Sequence, residues 1–204
     1  TFKLLSESAL SMMVSELMQS SGWVDGARSA RGYAKDIKRN IQLSVGSDTY
    51  MNQCEKVQDL LMDEKSIMNA FVFPKKIVNI LFSRTSAGMY YGKHVDAAHV
   101  GNSRRDYSFT LFLTNPREYE GGELILNIPP EQKSIKLEAG SIVIYPTKYL
   151  HEVKEVTQGE RIACVGWIES LIKSDHEREL LGHIRSALAC VTNNDTSSGM
   201  LYLN

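Results

Sequence analysis

"SIVIYPTKYLHEVKEVTQGERIACVGWIES", residues 141–170, is the stretch on which the fold turns. Three runs rich in β-branched and apolar residues, SIVIYP, HEVKEV and RIACVGWIES, are separated by PTKY and TQGE, whose Pro, Gly and polar residues mark turns. Upstream the same texture recurs in SIKLE, GGELILNIP, SFTLFLTN and KKIVNILFS, with breaks at EAG, PPEQ and NPREYEGG. Many short strands at roughly 8–12-residue spacing predict a sandwich or barrel rather than alternating β and α units.

The flanks read as helix. Leu10, Met13, Val14 and Leu17 recur at helical spacing over residues 6–19, with serines available as the cap. Ser47 is placed to cap a second helix carrying Tyr50, Cys54, Val57 and Leu61. After Ser170 a third helix follows, capped by Ser174 or Asp175, with Leu180, Leu181, Ile184, Leu188 and Val191 on one apolar face. The expected class is therefore α+β in one domain over residues 1–191: helical layer about 1–70, β core about 77–170, C-terminal helix about 175–191. The tail, residues 192–204, opens polar and disorder-prone and ends in MLYLN, an apolar segment that could dock on a neighbouring subunit of a homo-oligomer.

Composition removes several functions. With 43% hydrophobic residues, 23% charged residues and a formal net charge of −1, the chain lacks the basic balance of a nucleic-acid binder. Arg104 and Arg105 form only a short basic spot, expected in a solvated loop. No apolar run approaches the ~18 residues of a membrane span, and TFKLLSESALSMMV lacks a secretory layout. Cys54, Cys164 and Cys190 are odd in number and far apart, which favours a reducing cytoplasm over a disulfide framework. Cys164, in an apolar run, reads as core.

The chemistry gathers around few residues. "MYYGKHVDAAH", residues 89–99, sets His94 and Asp96 two apart, so on a strand both project to one face while His99 faces away. His176 and His183 fall off the apolar stripe of the C-terminal helix and read as surface, leaving His151 in the β core as the remaining partner. Two histidines and one carboxylate with open positions suit a non-haem Fe(II) oxygenase, although a His–Asp pair alone is equally an ordinary structural hydrogen bond.

Arg161 opens an otherwise apolar strand, where a buried guanidinium needs an anion and an exposed one would pair with Glu152 or Glu155. If HEVKEV and RIACVGW formed a hairpin across TQGE, Val156 would face Arg161 and His151 would face Gly166. Arg161 would then sit roughly 16 Å from His151 at about 3.3 Å per residue, room for a dicarboxylate gripped at its far end.

His94-x-Asp96, His151 and Arg161 ten residues on resemble the iron(II)- and 2-oxoglutarate-dependent dioxygenases of the prolyl 4-hydroxylase type. More narrowly, SGWVDG, KRNIQL, HVDAA, TLFLTNPREYEGGEL, GSIVIYPTKYLHEV and GERIACVGWIESL follow the order found in bacterial PKHD-type hydroxylases, from about Leu5 to Val191. The resemblance implies a double-stranded β-helix (jelly-roll) core, Fe(II) on His94, Asp96 and His151, and 2-oxoglutarate paired with Arg161. It also implies O2 as oxidant, ascorbate as a further cofactor, and hydroxylation coupled to release of succinate and CO2. The substrate stays open among a prolyl or other protein residue and a small molecule.

Thr85 stands where such proteins often carry tyrosine, and Lys93 where they tend to carry an aromatic residue. Thr110, Tyr90 and Tyr145 are expected as core or rim, and Lys38, Asn40 and Gln42 as a solvated edge strand. The alternative functions are a non-catalytic jelly-roll sensor for a metal or dicarboxylate, and a jelly-roll enzyme using another metal such as zinc.

Overall fold

The computed structural model describes residues 1–30, 32–63, 67 and 73–192. The first helix, α1 (Glu7–Gln19), starts at Ser6, whose hydroxyl accepts from the Ala9 N–H, and buries Met13 and Leu17. A short 3-10 turn (Gly26–Ser29) and α2 (Tyr33–Asp36) lead to α3 (Asp48–Asp63), begun by Ser47 accepting from the Tyr50 N–H. The Tyr50 hydroxyl then donates to the Ile80 carbonyl and ties α3 to the sheet beneath it.

The strands are β1 (Phe2–Lys3), β2 (Trp23–Asp25), β3 (Lys38–Arg39), β4 (Ile41–Leu43), β5 (Pro74–Ser86), β6 (Tyr90–His94), β7 (His99–Val100) and β8 (Ser103–Arg104). They continue as β9 (Tyr107–Phe112), β10 (Tyr119–Gly121), β11 (Leu124–Ile128), β12 (Glu131–Ile135), β13 (Ser141–Pro146), β14 (Leu150–Val153) and β15 (Val156–Ser170). The major sheet runs β1-β13-β9-β15-β5-β4-β2, with β10 also paired to β15, and the minor sheet runs β12-β11-β14-β6-β3. All the pairings are antiparallel, giving the expected jelly roll of two sheets with few helices.

Alternation along β15 explains both faces of the major sheet. Ile162, Cys164 and Ile168 join the core that holds Leu17, Val57, Leu61 and Phe82, beneath α1 and α3. Arg161, Val165 and Trp167 point the other way, into a cavity between the sheets. A smaller apolar cluster of Phe112, Leu124, Leu126, Val143 and Tyr145 joins the two sheets.

Three expectations need correction. The hairpin across TQGE does not form: β14 belongs to the minor sheet, while TQGE lies inside β15, where Gln158 and Gly159 pair with Glu120 and Tyr119. The strand expected at SIKLE starts earlier, at Glu131, inside what reads as the break PPEQ. Arg104 and Arg105 are not a solvated loop, because Arg104 pairs with Asp106 at 3.2 Å and Arg105 stacks 3.8 Å from the Trp167 ring centre.

The expected C-terminal helix is α4 (Asp175–Thr192). Ser174 caps it, and Arg178 anchors its first turn by donating to the Ile172 and Lys173 carbonyls. Beyond that anchor Leu180, Ile184, Leu188 and Val191 of its apolar face are exposed. His176 and His183 are exposed as expected. The tail segment MLYLN lies outside the described residues.

Candidate active site

His94 ends β6 and His151 sits directly opposite it on β14, so the sheet register itself brings the two imidazoles together. Asp96 follows just past the end of β6, and the ligand atoms of all three residues lie within 4.8 Å of one another. Asp96 Oδ1 is 3.5 Å from His94 Nε2, and Asp96 Oδ2 is 3.7 Å from His151 Nε2. His99 stands apart, exposed on β7.

Backbone carbonyls orient both imidazoles. His94 Nδ1 is 2.8 Å from the Gly92 oxygen and His151 Nδ1 is 3.0 Å from the Tyr149 oxygen. A carbonyl only accepts, so each Nδ1 carries the proton and each Nε2 turns its lone pair toward Asp96. Tyr91 stacks on His94 with ring centres 3.7 Å apart, which blocks rotation of that ring. Burial pushes the His151 pKa down, with His94 acting in the same direction and Asp96 opposing, so its neutral, metal-binding form is favoured.

Asp96 is fixed from the opposite sheet. Trp167 on β15 donates its indole N–H to Asp96 Oδ2 at 2.9 Å, and the Ser108 hydroxyl on β9 donates to the same oxygen at 3.0 Å. Burial opposes ionisation here. Without metal, protonated His94 donating to the carboxylate, the charges of protonated His151 and His94, and the Trp167 donor outweigh it and hold the carboxyl well below its usual range. Sequence reasoning missed Trp167 and Ser108. The available signal was an indole N–H in a buried strand, which needs an acceptor somewhere.

Arg161 lies on β15 opposite Thr85 of β5, and it is only 2% exposed. Its Nε and Nη2 have no hydrogen-bond partner, and no carboxylate among the described residues forms an ion pair with it. Glu152 and Glu155, the expected exposed partners, are therefore not used. Burial works against the guanidinium charge, while the phenols of Tyr119 and Tyr145 favour it. A buried fork with two open donors has the chemistry to receive a carboxylate.

One cavity of about 620 Å³ is lined by His94, Asp96, His151 and Arg161 alike. Thr85, Thr110 and Tyr145 also line it, Tyr145 while packed in the smaller apolar cluster, whereas Lys93 is exposed and outside it. Lys38 and Gln42, each 5% exposed, line it too and are not a solvated edge. The physical reason is that KRNIQL crosses between sheets: β3 pairs with β6 of the minor sheet, and β4 pairs with β5 of the major one.

A jelly roll with this site defines a class. Residues 80–169 match the family described as the 2OG-Fe(II) oxygenase superfamily. A PKHD-type hydroxylase of Prochlorococcus marinus (strain MIT 9211) is 44% identical over 79% of this chain and 72% of its own length. Another, from Rippkaea orientalis, is 40% identical over 88% of this chain and 81% of its own length. The chain belongs to the PKHD-type hydroxylases of the 2OG-Fe(II) oxygenase superfamily. A Pseudomonas putida prolyl-4-hydroxylase crystal structure superposes with a TM-score of 0.60 at 18% identity, covering 83% of this chain and 90% of that one, which shows the shared fold.

The chain is thus an oxygenase that depends on Fe(II) and 2-oxoglutarate, and its residues fit both groups. Two inward imidazole lone pairs beside a fixed carboxylate match a divalent iron site, and the orphaned Arg161 donors match the cosubstrate acid.

Proposed function

We propose that His94, Asp96 and His151 hold the Fe(II), that Arg161 takes the distal carboxylate of 2-oxoglutarate, and that residues 1–191 act as one oxygenase domain hydroxylating its substrate. The observation that carries this reading is the coexistence, around one cavity, of a His-Asp-His triad and a buried arginine with two unpartnered nitrogens. Bound iron, 2-oxoglutarate and O2 supply the oxidising chemistry, with succinate and CO2 as the cosubstrate products.

The protein's own residues position and enclose. The Gly92 and Tyr149 carbonyls keep both Nε2 atoms inward, and Trp167 and Ser108 keep Asp96 from swinging away. Arg161 sets the depth at which the dicarboxylate stops, with Phe112 packed 5.3 Å from its guanidinium carbon to exclude water. Cys54 and Cys164 are free thiols, which supports a reducing cytoplasmic setting, and no described helix is long and apolar enough to cross a membrane.

The test is cosubstrate turnover without added substrate. Wild-type protein given Fe(II), 2-oxoglutarate, ascorbate and air releases succinate slowly, and Asp96→Ala releases none above the protein-free background. Wild-type rates in Asp96→Ala contradict the assignment.

A further inference from the structure

The charged side chains lining the cavity are unbalanced. Besides the histidines they are Arg28, Lys38, Arg105 and Arg161 against Asp96 alone. Fe(II) with Asp96 and 2-oxoglutarate with Arg161 make a neutral set and Arg105 is engaged on the Trp167 ring, so Lys38 and Arg28 remain as cations for the part of the cavity left for substrate.

Lys38 is the informative one. A lysine ammonium 5% exposed is costly unless an anion accompanies it. Its Nζ donates to the neutral Ser29 hydroxyl at 2.7 Å and lies 4.9 Å from the Tyr91 ring centre. Among the described residues no carboxylate forms an ion pair with Lys38 or with the exposed Arg28 on the neighbouring 3-10 turn. Burial lowers the Lys38 pKa to about 8, with Asp96 and Asp25 pulling the other way. Tyr91 bridges this cation to the metal site, because the ring beside Lys38 also stacks on His94.

We propose that the substrate is a small organic anion whose acid group is seated by Lys38, with Arg28 at the rim, on the minor-sheet wall of the cavity. The inference rests on the Fe(II)/2-oxoglutarate reading above. An acid held there places its carbon skeleton toward His94 and the iron. Amines and basic side chains are repelled by Lys38 and Arg28, which disfavours lysyl, arginyl and polyamine substrates. A cavity of about 620 Å³ is within the range of small-molecule sites.

The experiment uses full-length protein loaded anaerobically with Fe(II) and excess 2-oxoglutarate, so that the Arg161 position is filled. Loading is read first, on each variant, from the visible charge-transfer band of the iron–keto-acid chelate. Failure of that band in wild type counts against the reading of the site, before any probe is added. Calorimetry then compares 3-phenylpropionate, 3-phenylpropionamide and 3-phenylpropylamine, which share one skeleton, with 2-phenylethylphosphonate to tell carboxylate from phosphate recognition. The proposal predicts that an anion binds at least tenfold tighter than the amide, that the amine binds weakest, and that Lys38→Met loses about tenfold for the anion. Arg28→Gln, on an exposed turn, should lose a smaller part and serves if Lys38→Met does not fold. Equal or absent binding of acid, amide and amine by the loaded wild type overturns the proposal. So does a Lys38→Met protein that weakens 2-oxoglutarate while leaving the probe acid unaffected.

Discussion

Asp96 shows how much a single residue depends on its neighbours. Its carboxylate faces two imidazoles from one sheet and takes two hydrogen bonds from the other, so metal affinity is set partly by groups that never touch the metal. Trp167→Phe keeps the ring against Arg105 and removes only the N–H. Fe(II) binding measured by anaerobic calorimetry should weaken by about 10–100-fold, with little change in melting temperature. Unchanged affinity would mean that Ser108 alone orients the carboxylate. At this scale the sequence was most legible where chemistry is rare. Five histidines, of which two fall on an exposed helix, leave few ways to build a site. Trp167 and Lys38 were less legible, because their roles depend on which sheet wall they face, and adjacent residues do not encode that.

Strand β15 carries the element-scale logic. It holds Arg161 and Trp167 on one face while giving Ile162, Cys164 and Ile168 to the core on the other. Opposite Gly166 the partner strand bulges, and Asn79 adopts a positive φ of 47° there. A Cβ on Gly166 would meet Phe109 Cζ at 2.6 Å and the Asn79 carbonyl oxygen at 2.9 Å. Gly166→Ala therefore forces the strands apart beside Trp167. Denaturant unfolding should show a loss of about 1–3 kcal/mol, accompanied by weaker Fe(II) binding. A fully stable variant with normal metal affinity contradicts this account of the bulge. Strand existence was legible from turn residues and β-branched runs, but pairing was not. TQGE has turn composition yet pairs with β10, a long-range contact that outweighs local preference. The same limit hid the exposed stripe of α4, since periodicity records amphipathicity and not what lies opposite it.

Across the whole molecule, the long helices α1 and α3 and the reactive cavity use opposite faces of the major sheet, which separates stability from chemistry. Phe82, fully buried on the helix side, packs edge-on against Tyr50 at 6.4 Å. Phe82→Ala should cost about 3–5 kcal/mol in unfolding free energy, while the folded fraction keeps its Fe(II) affinity. Loss of metal affinity in the folded fraction would show that the helix layer also shapes the site.

The most direct test of the central claim, that the triad and Arg161 form one Fe(II)/2-oxoglutarate centre, is the anaerobic titration of 2-oxoglutarate into Fe(II)-loaded protein. The account predicts a saturable visible charge-transfer band in wild type and no band in His94→Ala. In Arg161→Ala the half-saturation should rise at least tenfold, the loss of a charge-assisted contact of about 1.5–3 kcal/mol. A wild-type protein that binds iron but gives no band, or an Arg161→Ala variant that saturates at the wild-type concentration, would contradict it.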